Sequence, residues 1–345
     1  MTTVADDAAV VFVGAQARRY DDLEPDTDYT FDGVSFRTLP RPAGERLATV
    51  CTVNDVHFGE TEAGVIEGAD VGEVFRSEPG EEPYPEVMNR GAVAEMRALD
   101  PPVDAVVVKG DLTATGTRAE YQAFLDCYGP AFGTRLHHVW GNHDGYYGER
   151  FADAGRQQVD VPGARLAIVD TVIPRSATGG LSRDELDWLD DLGARSSADG
   201  VPVLVFGHHH PWSPDSATRE PAYFGINPDD SDALVAVFVR RRSLLGYFAG
   251  HTHRNRVRRF SATGDVPWVE VACVKDFPGA WAEYRVFEGG VLQVFHRIST
   301  PDALAWSEKT RGMFGGAYPF YAFGEVSDRN FPIFPRFSTG AGENR

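Results

Sequence analysis

The sequence contains no apolar run that approaches the ~20 residues needed to cross a bilayer. Its first residues, Met1 to Asp7, lack the basic region and the long apolar region of a secretory signal. We therefore expect a cytoplasmic protein that makes no membrane contact. Basic residues are also scarce, with 33 Lys and Arg against 51 Asp and Glu. The formal net charge of −18 argues against nucleic-acid binding, which needs a basic surface.

Cysteine is rare as well, since the 345 residues include only Cys51, Cys127 and Cys273. An odd number of cysteines, each in or beside a predicted core element, favours small buried hydrophobic side chains over a disulfide or a thiol nucleophile. Hydrophobic residues make up 42% of the chain and aromatic residues 12%. This composition is typical of a globular protein with one large core or two modest ones.

Strand and helix patterns alternate from Leu47 onward, which predicts an α/β (α+β) fold of two packed sheets flanked by helices. We expect residues 1–46 to form a short β extension and residues 301–345 an irregular, aromatic-rich wrap around the domain at 47–300. Two inserts, at 58–85 and 212–229, adjoin polar blocks and are expected to shape specificity. Ser182 and Glu185 have the spacing of a capping box at the start of a helix.

Five polar blocks each follow an apolar run, where a strand is predicted to end and a loop to begin. The blocks are Asp55-Val56-His57, Gly110-Asp111, Gly141-Asn142-His143-Asp144, His208-His209-His210-Pro211 and Gly250-His251-Thr252-His253. Loops at the carboxyl ends of strands are where α/β folds assemble active sites. The seven candidate metal ligands are Asp55, His57, Asp111, Asn142, His208, His251 and His253. Seven ligands are too many for one ion but suit two, and their chemistry suits Zn²⁺, Mn²⁺ or Fe.

The spacing within the blocks predicts how the ligands meet. In an extended chain Asp55 and His57 point to the same side, as do His251 and His253, and the Asp111 carboxylate can bridge two ions. Two dications ~3.5–4 Å apart bind a phosphoryl group and lower the pKa of a bridging water. His143 is the natural general acid for the leaving oxygen, with Asp144 as its orienting partner.

The ordered set Asp-x-His, Gly-Asp, Gly-Asn-His-Asp, His and Gly-His-x-His resembles the calcineurin-like metallophosphoesterase superfamily over roughly residues 47–300. The resemblance implies a four-layer α-β-β-α sandwich with a dinuclear metal site. It implies that one ion is held by Asp55, His57, Asp111 and His253, and the other by Asp111, Asn142, His208 and His251. It also gives His143 the role of catalytic histidine. Within the row of three histidines it favours His208 as the ligand, with His209 as the alternative.

The residues around the Gly-Asp block indicate which branch of the superfamily the sequence resembles. Ala114 occupies the position of the tyrosine found in purple acid phosphatases, and the Asp-Arg-Gly sequence of calcineurin-type protein phosphatases is missing. The block with its following Glu120-Tyr121 is similar to class III cyclic-nucleotide phosphodiesterases. This similarity implies hydrolysis of small phosphodiesters or phosphomonoesters by a metal-bridging hydroxide, with diesters favoured. The alternatives are a nuclease and a catalytically silent metal-binding scaffold; the oligomeric state is not indicated.

Four arginines follow the last block: Arg254, Arg256, Arg258 and Arg259. They could hold a phosphate or steer an anion toward the metals, and Arg254 is the candidate for that role. Their spacing along a predicted hairpin favours a solvated face instead.

Overall fold

The computed structural model describes residues 2–13, 15–66, 68–147 and 155–336. The strands are β1 Thr3–Val4, β2 Ala9–Val13, β3 Gln16–Tyr20, β4 Asp28–Phe31, β5 Val34–Arg37, β6 Arg46–Val53, β7 Ala105–Lys109, β8 Leu136–Val139, β9 Gln157–Val161, β10 Ala164–Ile168, β11 Val203–Phe206, β12 Leu244–Ala249, β13 Arg256–Arg258, β14 Trp268–Glu270, β15 Ala280–Phe287, β16 Gly290–Arg297 and β17 Phe331–Ile333. The helices are α1 Tyr84–Arg97, α2 Arg118–Phe132, α3 Asn142–Gly145, α4 Arg183–Asp199, α5 Pro228–Arg240, α6 Pro301–Thr310, α7 Tyr318–Ala322 and α8 Val326–Arg329. Among these residues, none of the helices combines the length and apolarity needed to cross a bilayer.

Two sheets of six described strands form the centre of the molecule, in the orders β17-β16-β15-β6-β7-β8 and β13-β14-β12-β11-β10-β9. Alternate residues of each strand face opposite sides. Val50 and Val107 of one sheet pack against Leu166 and Phe206 of the other. The intervening residues meet α1, α2 and α6 on one outer face and α4 and α5 on the other. The predicted four-layer α-β-β-α arrangement is therefore confirmed.

The polar blocks lie at strand ends, as their sequence positions predicted. β6, β7 and β8 are parallel neighbours, and so are β11 and β12 in the second sheet. These strands end at Val53, Lys109, Val139, Phe206 and Ala249, within three residues of the next candidate ligand. Parallel strands present their carboxyl ends at one edge, so the blocks converge there.

The N-terminal strands form two small sheets, β1-β2-β3 and β4-β5. Ala5 and Ala8 pack against Phe287 and Leu292 of the β15–β16 hairpin. The Thr3 hydroxyl donates a hydrogen bond of 2.6 Å to the Phe295 carbonyl. These contacts place the first strands on the β15–β16 hairpin.

The expectation of an irregular C-terminal wrap is wrong for the described residues 301–336. Pro301 stands in the first turn of α6, where its fixed φ favours the helix and its missing N–H costs nothing. The helix then buries Ala303, Leu304 and Trp306. β17 adds a strand beside β16, and residues 337–345 lie outside the described residues. The abundance of Phe, Tyr, Gly and Pro in this segment favoured irregular structure in the sequence-based prediction, although the spacing of apolar residues after Pro301 is helical.

Only half of the predicted capping box forms at the start of α4. The Ser182 hydroxyl accepts a 3.1 Å hydrogen bond from the Glu185 N–H. The Glu185 side chain does not complete the box; it is half-buried, and burial raises its carboxyl pKa from 4.5 to about 7.

This shift makes the folded state bind a proton at Glu185 more tightly than the unfolded chain does. The group's stabilising contribution is therefore complete below pH 4.5 and is lost as the pH rises through about 7. We expect Glu185→Gln to raise the melting temperature at pH 8 and to leave it nearly unchanged at pH 4, measured by thermal unfolding. The matched change Asp184→Asn, in the same turn but exposed, should give no such gain; an equal effect of both would contradict this account.

Candidate metal centre

The candidate ligands from both sheets converge on Asp111. Its Oδ2 atom lies 3.4 Å from His57 Nε2 and 3.3 Å from His208 Nε2. Five sets of ligand atoms among the described residues each fall within 4.8 Å of one another: Asp55, His57 and His253; Asp55, Asp111 and His208; His208, His209 and His251; His57, Asp111 and His143; and His253, Cys273 and Asp276. The Asp111 carboxylate thus lies between the histidine that follows β6 and the histidine that follows β11.

His208 and Asn142 share the side of Asp111 that faces the second sheet. His208 Nε2 is 3.0 Å from Asn142 Oδ1, and its Nδ1 is 2.8 Å from the Lys109 carbonyl. Because a carbonyl only accepts hydrogen bonds, Nδ1 carries a hydrogen, and Nε2 is the atom directed at Asp111. Burial lowers the pKa of His208, but Asp111, Asp55 and the Lys109 carbonyl together outweigh burial and raise that pKa to about 9. A metal ion on Nε2 would displace the proton that Asp111 attracts.

His209 and His210 have other partners. His209 Nδ1 is 2.8 Å from the Thr171 hydroxyl, and its buried Nε2 has no hydrogen-bond partner in the structure. His210 Nε2 lies 2.6 Å from the Tyr223 hydroxyl. His208 therefore has the better placement for a metal ligand, while His209 keeps a ligand atom in the group with His251.

Asp55 and His251 bring the first and last blocks together. The His251 N–H donates a 3.0 Å hydrogen bond to Asp55 Oδ2, and His253 Nε2 is 3.3 Å from Asp55 Oδ1. Burial acts to raise the pKa of Asp55, but His253 and His208 together outweigh burial and hold that pKa at about 2. Burial also lowers the pKa of His251, whose Nε2 is buried without a hydrogen-bond partner. Asp55 thus offers an ionised carboxylate and His251 a neutral imidazole, two donors of the kind that a divalent cation binds.

The backbone of this centre is unusual and corrects the predicted extended geometry. Five candidate ligands have positive φ: Asp55 at 53°, His57 at 47°, Asp111 at 51°, His251 at 69° and His253 at 56°. Residues other than glycine seldom adopt this region, at a cost of about 1–3 kcal/mol each. The pairs at i and i+2 meet because each residue turns in a left-handed conformation, not because the chain is extended. Such clustered strain is characteristic of functional sites.

The glycines of two blocks are needed for close packing at Asp111 and His208. A Cβ atom on Gly141 would lie 2.1 Å from Asp111 Oδ1, and one on Gly110 would lie 2.6 Å from His208 Nδ1. A side chain at either position would displace a candidate ligand. Close packing therefore explains why glycine precedes both Asp111 and Asn142.

Glu60, which the sequence patterns did not single out, holds His57 in place. Glu60 Oε2 is 2.8 Å from His57 Nδ1, and Oε1 is 2.5 Å from Lys275 Nζ. Burial raises the pKa of Glu60, but Lys275 and His57 together outweigh burial and keep that pKa far below its usual range. A carboxylate on Nδ1 orients a metal-binding imidazole and leaves Nε2 for the ion. The one local signal was a carboxylate three residues after His57, at the start of the first insert.

His143 and Asp144 do not form the predicted pair. His143 Nδ1 lies 2.8 Å from the Ala114 carbonyl, and its backbone N–H donates to Asp111 Oδ1 at 2.9 Å. The Asp144 carboxylate instead accepts four hydrogen bonds, from Leu112 N, Thr113 N, Thr113 Oγ1 and Gly141 N. Asp144 therefore joins the second and third blocks rather than orienting the His143 ring. Burial lowers the pKa of His143, so the neutral ring is favoured, with Nδ1 as its donor.

The expectation of a solvated arginine face is wrong for two of the four arginines. Arg254 Nε donates to the buried Glu270 Oε2 at 2.8 Å, and its guanidinium lies over the Tyr321 ring. Arg258 lies 3.5 Å from the other Glu270 oxygen and donates to the Pro211 carbonyl at 2.6 Å. Arg256 and Arg259 are exposed. Glu270 lies 16 positions after Arg254, so no local pattern in the sequence indicated this contact.

A cavity of about 520 Å³ opens above the candidate ligands. Asp111, Asn142, His143, His251 and His253 line its floor. Val65 and Ile66 of the first insert, Phe224 of the second, and residues from 313 to 321 supply its walls. A space of this size suits a small organic molecule.

The calcineurin-like phosphoesterase family model matches residues 48–255, which contain all five blocks. The chain belongs to this family. A dimetal phosphatase from Danio rerio has the same fold, with a TM-score of 0.55 at 17% identity over 74% of this chain and 98% of that one. The family assignment and the described ligand groups make this chain a metal-binding metallophosphoesterase.

Several curated phosphodiesterases are similar in sequence. A glycerophosphodiester phosphodiesterase (GpdQ) from Enterobacter lignolyticus is 30% identical, over 48% of this chain and 61% of its own length. A 3',5'-cyclic adenosine monophosphate phosphodiesterase (CpdA) from Pseudomonas aeruginosa is 32% identical, over 45% of this chain and 56% of its own length. A probable cyclic nucleotide phosphodiesterase from Synechococcus is 27% identical, over 54% of this chain and 71% of its own length. The chain thus spans roughly three fifths of the length of the first two of these relatives.

Proposed function

We propose that this chain hydrolyses small phosphodiesters with two metal ions bound at the candidate centre. The observation that carries the proposal is the position of Asp111, whose carboxylate lies within 3.4 Å of both His57 and His208. In this assignment one ion is held by Asp55, His57, Asp111 and His253, and the other by Asp111, Asn142, His208 and His251. The oxygen and imidazole donors suit Mn²⁺, Fe or Zn²⁺.

The two dications, when bound, polarise the phosphoryl group and lower the pKa of a water molecule. The chain's own residues position the remaining groups. Glu60 fixes the His57 ring, and Asp144 ties the loop of Asp111 to that of Asn142. His143 is held at Nδ1 by the Ala114 carbonyl, and its other ring nitrogen protonates the leaving oxygen after the ring has taken up a second proton.

A diester is favoured over a monoester for two reasons. The curated relatives described above are named as phosphodiesterases, and the cavity has walls that can contact a second organic group. A diester carries two organic groups, and the walls formed by the two inserts and residues 313–321 provide a surface for one of them. The net charge of −18 supports a small substrate rather than a nucleic acid.

The test is hydrolysis of bis-p-nitrophenyl phosphate beside p-nitrophenyl phosphate, by protein stripped of metal and refilled with Mn²⁺. We expect the diester to be preferred and Asn142→Ala to lose most of the activity, because the change removes the side-chain oxygen that lies 3.0 Å from His208 Nε2. Circular dichroism and thermal unfolding of the variant serve as the folding control.

Three results would contradict the proposal. Preference for the monoester would make the chain a phosphatase. Full activity of Asn142→Ala would remove the candidate centre from the reaction. Two bound ions per chain without turnover of any phosphoester would identify a metal-binding scaffold.

A further inference from the structure

The walls of the cavity are apolar although they are open to solvent. Val65, Ile66, Phe224 and Tyr321 are among the exposed large hydrophobic side chains, and all four line this cavity. They come from three segments that are distant in sequence. Exposed apolar side chains that gather in one concave site, rather than scattering over the surface, mark a place that binds an apolar group.

The polar atoms in these walls already have partners within the chain. The Tyr318 hydroxyl donates to Asp276 at 2.8 Å, and the Tyr321 hydroxyl donates to the Thr252 carbonyl at 2.9 Å. Lys275 is paired with Glu60 at 2.5 Å. What these residues offer to a substrate is therefore mainly ring faces and aliphatic carbon, which suits neither glycerol nor another polyol.

Aromatic rings stand directly beside the candidate metal ligands. The Phe224 ring stacks on His251 with centroids 3.8 Å apart and an interplanar angle of 28°, yet 51% of Phe224 remains exposed. The rings of Tyr318 and Tyr321 are stacked at 6.2 Å on the C-terminal wall. A flat ring on the substrate can stack on such faces when its phosphoryl group lies over the floor residues.

We propose that the substrate carries an apolar aromatic group as one of its ester substituents, and that Phe224, Val65 and the wall of residues 313–321 select it. The proposal rests on the proposed function. Phe224 and Val65 lie within residues 48–255, whereas the C-terminal wall lies outside them, so part of the selecting surface is built from residues that the family model does not match.

The test is a binding measurement that needs no turnover. Phenylphosphonate and methylphosphonate are titrated into the Mn²⁺-loaded protein in a calorimeter. Both present the same phosphonate group to the floor of the cavity, so the difference isolates the ring. We expect phenylphosphonate to bind about tenfold more tightly, the scale of one buried and stacked ring. Cyclohexylphosphonate, equally apolar but not flat, should bind more weakly than the phenyl compound.

Matched variants locate the effect. Phe224→Ala should remove most of the phenyl preference, whereas Phe334→Ala, at a phenylalanine that is 52% exposed on another surface, should keep it. Val65→Ser should reduce the preference about threefold, the order expected for one aliphatic contact. The same change at Val13, 50% exposed against 52% for Val65, should leave it unchanged.

The outcomes separate this proposal from the function on which it rests. Equal binding of phenylphosphonate and methylphosphonate would overturn the proposal, and so would equal binding of the phenyl and cyclohexyl compounds. An equal loss for all compounds in Phe224→Ala would also overturn it, because the ring would then act only by supporting His251. A phenyl preference that depends on Phe224 would uphold it even if no diester is hydrolysed, in which case the proposed function alone fails.

Discussion

Replacing Asp111 with asparagine should lower kcat/KM for a phosphodiester by about a thousandfold or more, the factor that corresponds to several kcal/mol of metal-ion assistance. The change keeps the shape of the side chain and removes the negative charge between His57 and His208. Burial raises the pKa of Asp111, but the surrounding histidines, His208 foremost, together outweigh burial and keep that pKa well below its usual range, so the native group is a carboxylate. An amide there can neither bridge two cations nor balance their charge.

Steady-state kinetics and metal analysis by mass spectrometry check this result. Asp111→Asn should contain fewer ions per chain than the parent protein. Asp187→Asn, the same chemical change at an exposed position of α4, should alter neither quantity. Parent-like activity in Asp111→Asn would show that this carboxylate does not bridge metal ions.

Replacing His143 with alanine should lower kcat by ~10²–10⁴ while metal content stays near that of the parent protein. The expectation follows from the position of the ring, whose Nδ1 is held by the Ala114 carbonyl at 2.8 Å and which lines the cavity. Removal of the imidazole takes away a proton donor for the leaving oxygen. The backbone N–H that binds Asp111 is retained.

Metal content is the decisive measurement for His143, because its ring also lies within 4.8 Å of ligand atoms of His57 and Asp111. His253→Ala provides the contrast, since loss of that imidazole should release metal. If His143→Ala releases metal to the same extent, His143 is a ligand and the proposed catalytic role is wrong. His143→Ala should lose less activity toward an ester whose leaving group has a low pKa, such as p-nitrophenolate, than toward an ester of a simple alcohol.

The order of strands and helices could be predicted from the sequence because it depends on local periodicity. Val50, Val107 and their neighbours alternate between two buried faces, and such strands read as continuous apolar runs. The polar blocks were conspicuous because each interrupts such a run where a strand ends. The fold and the family could therefore be predicted from the sequence, and the candidate metal ligands could be named from it. The prediction of an irregular C-terminal wrap was wrong because it relied on the aromatic composition and not on the helical spacing after Pro301.

Contacts between distant residues decided the rest. Glu60 meets Lys275 across 215 positions, and Phe224 reaches His251 only after the second insert folds back over the centre. The left-handed backbone at Asp55 and His57 depends on hydrogen bonds from the first block to the Asp111 carbonyl, not on their own residue types. The sequence by itself determined which groups are available for chemistry, because residue type and strand period are local properties. Their orientation, their charge states and the aromatic walls around them required the tertiary structure, because these arise from packing two sheets and two inserts against each other.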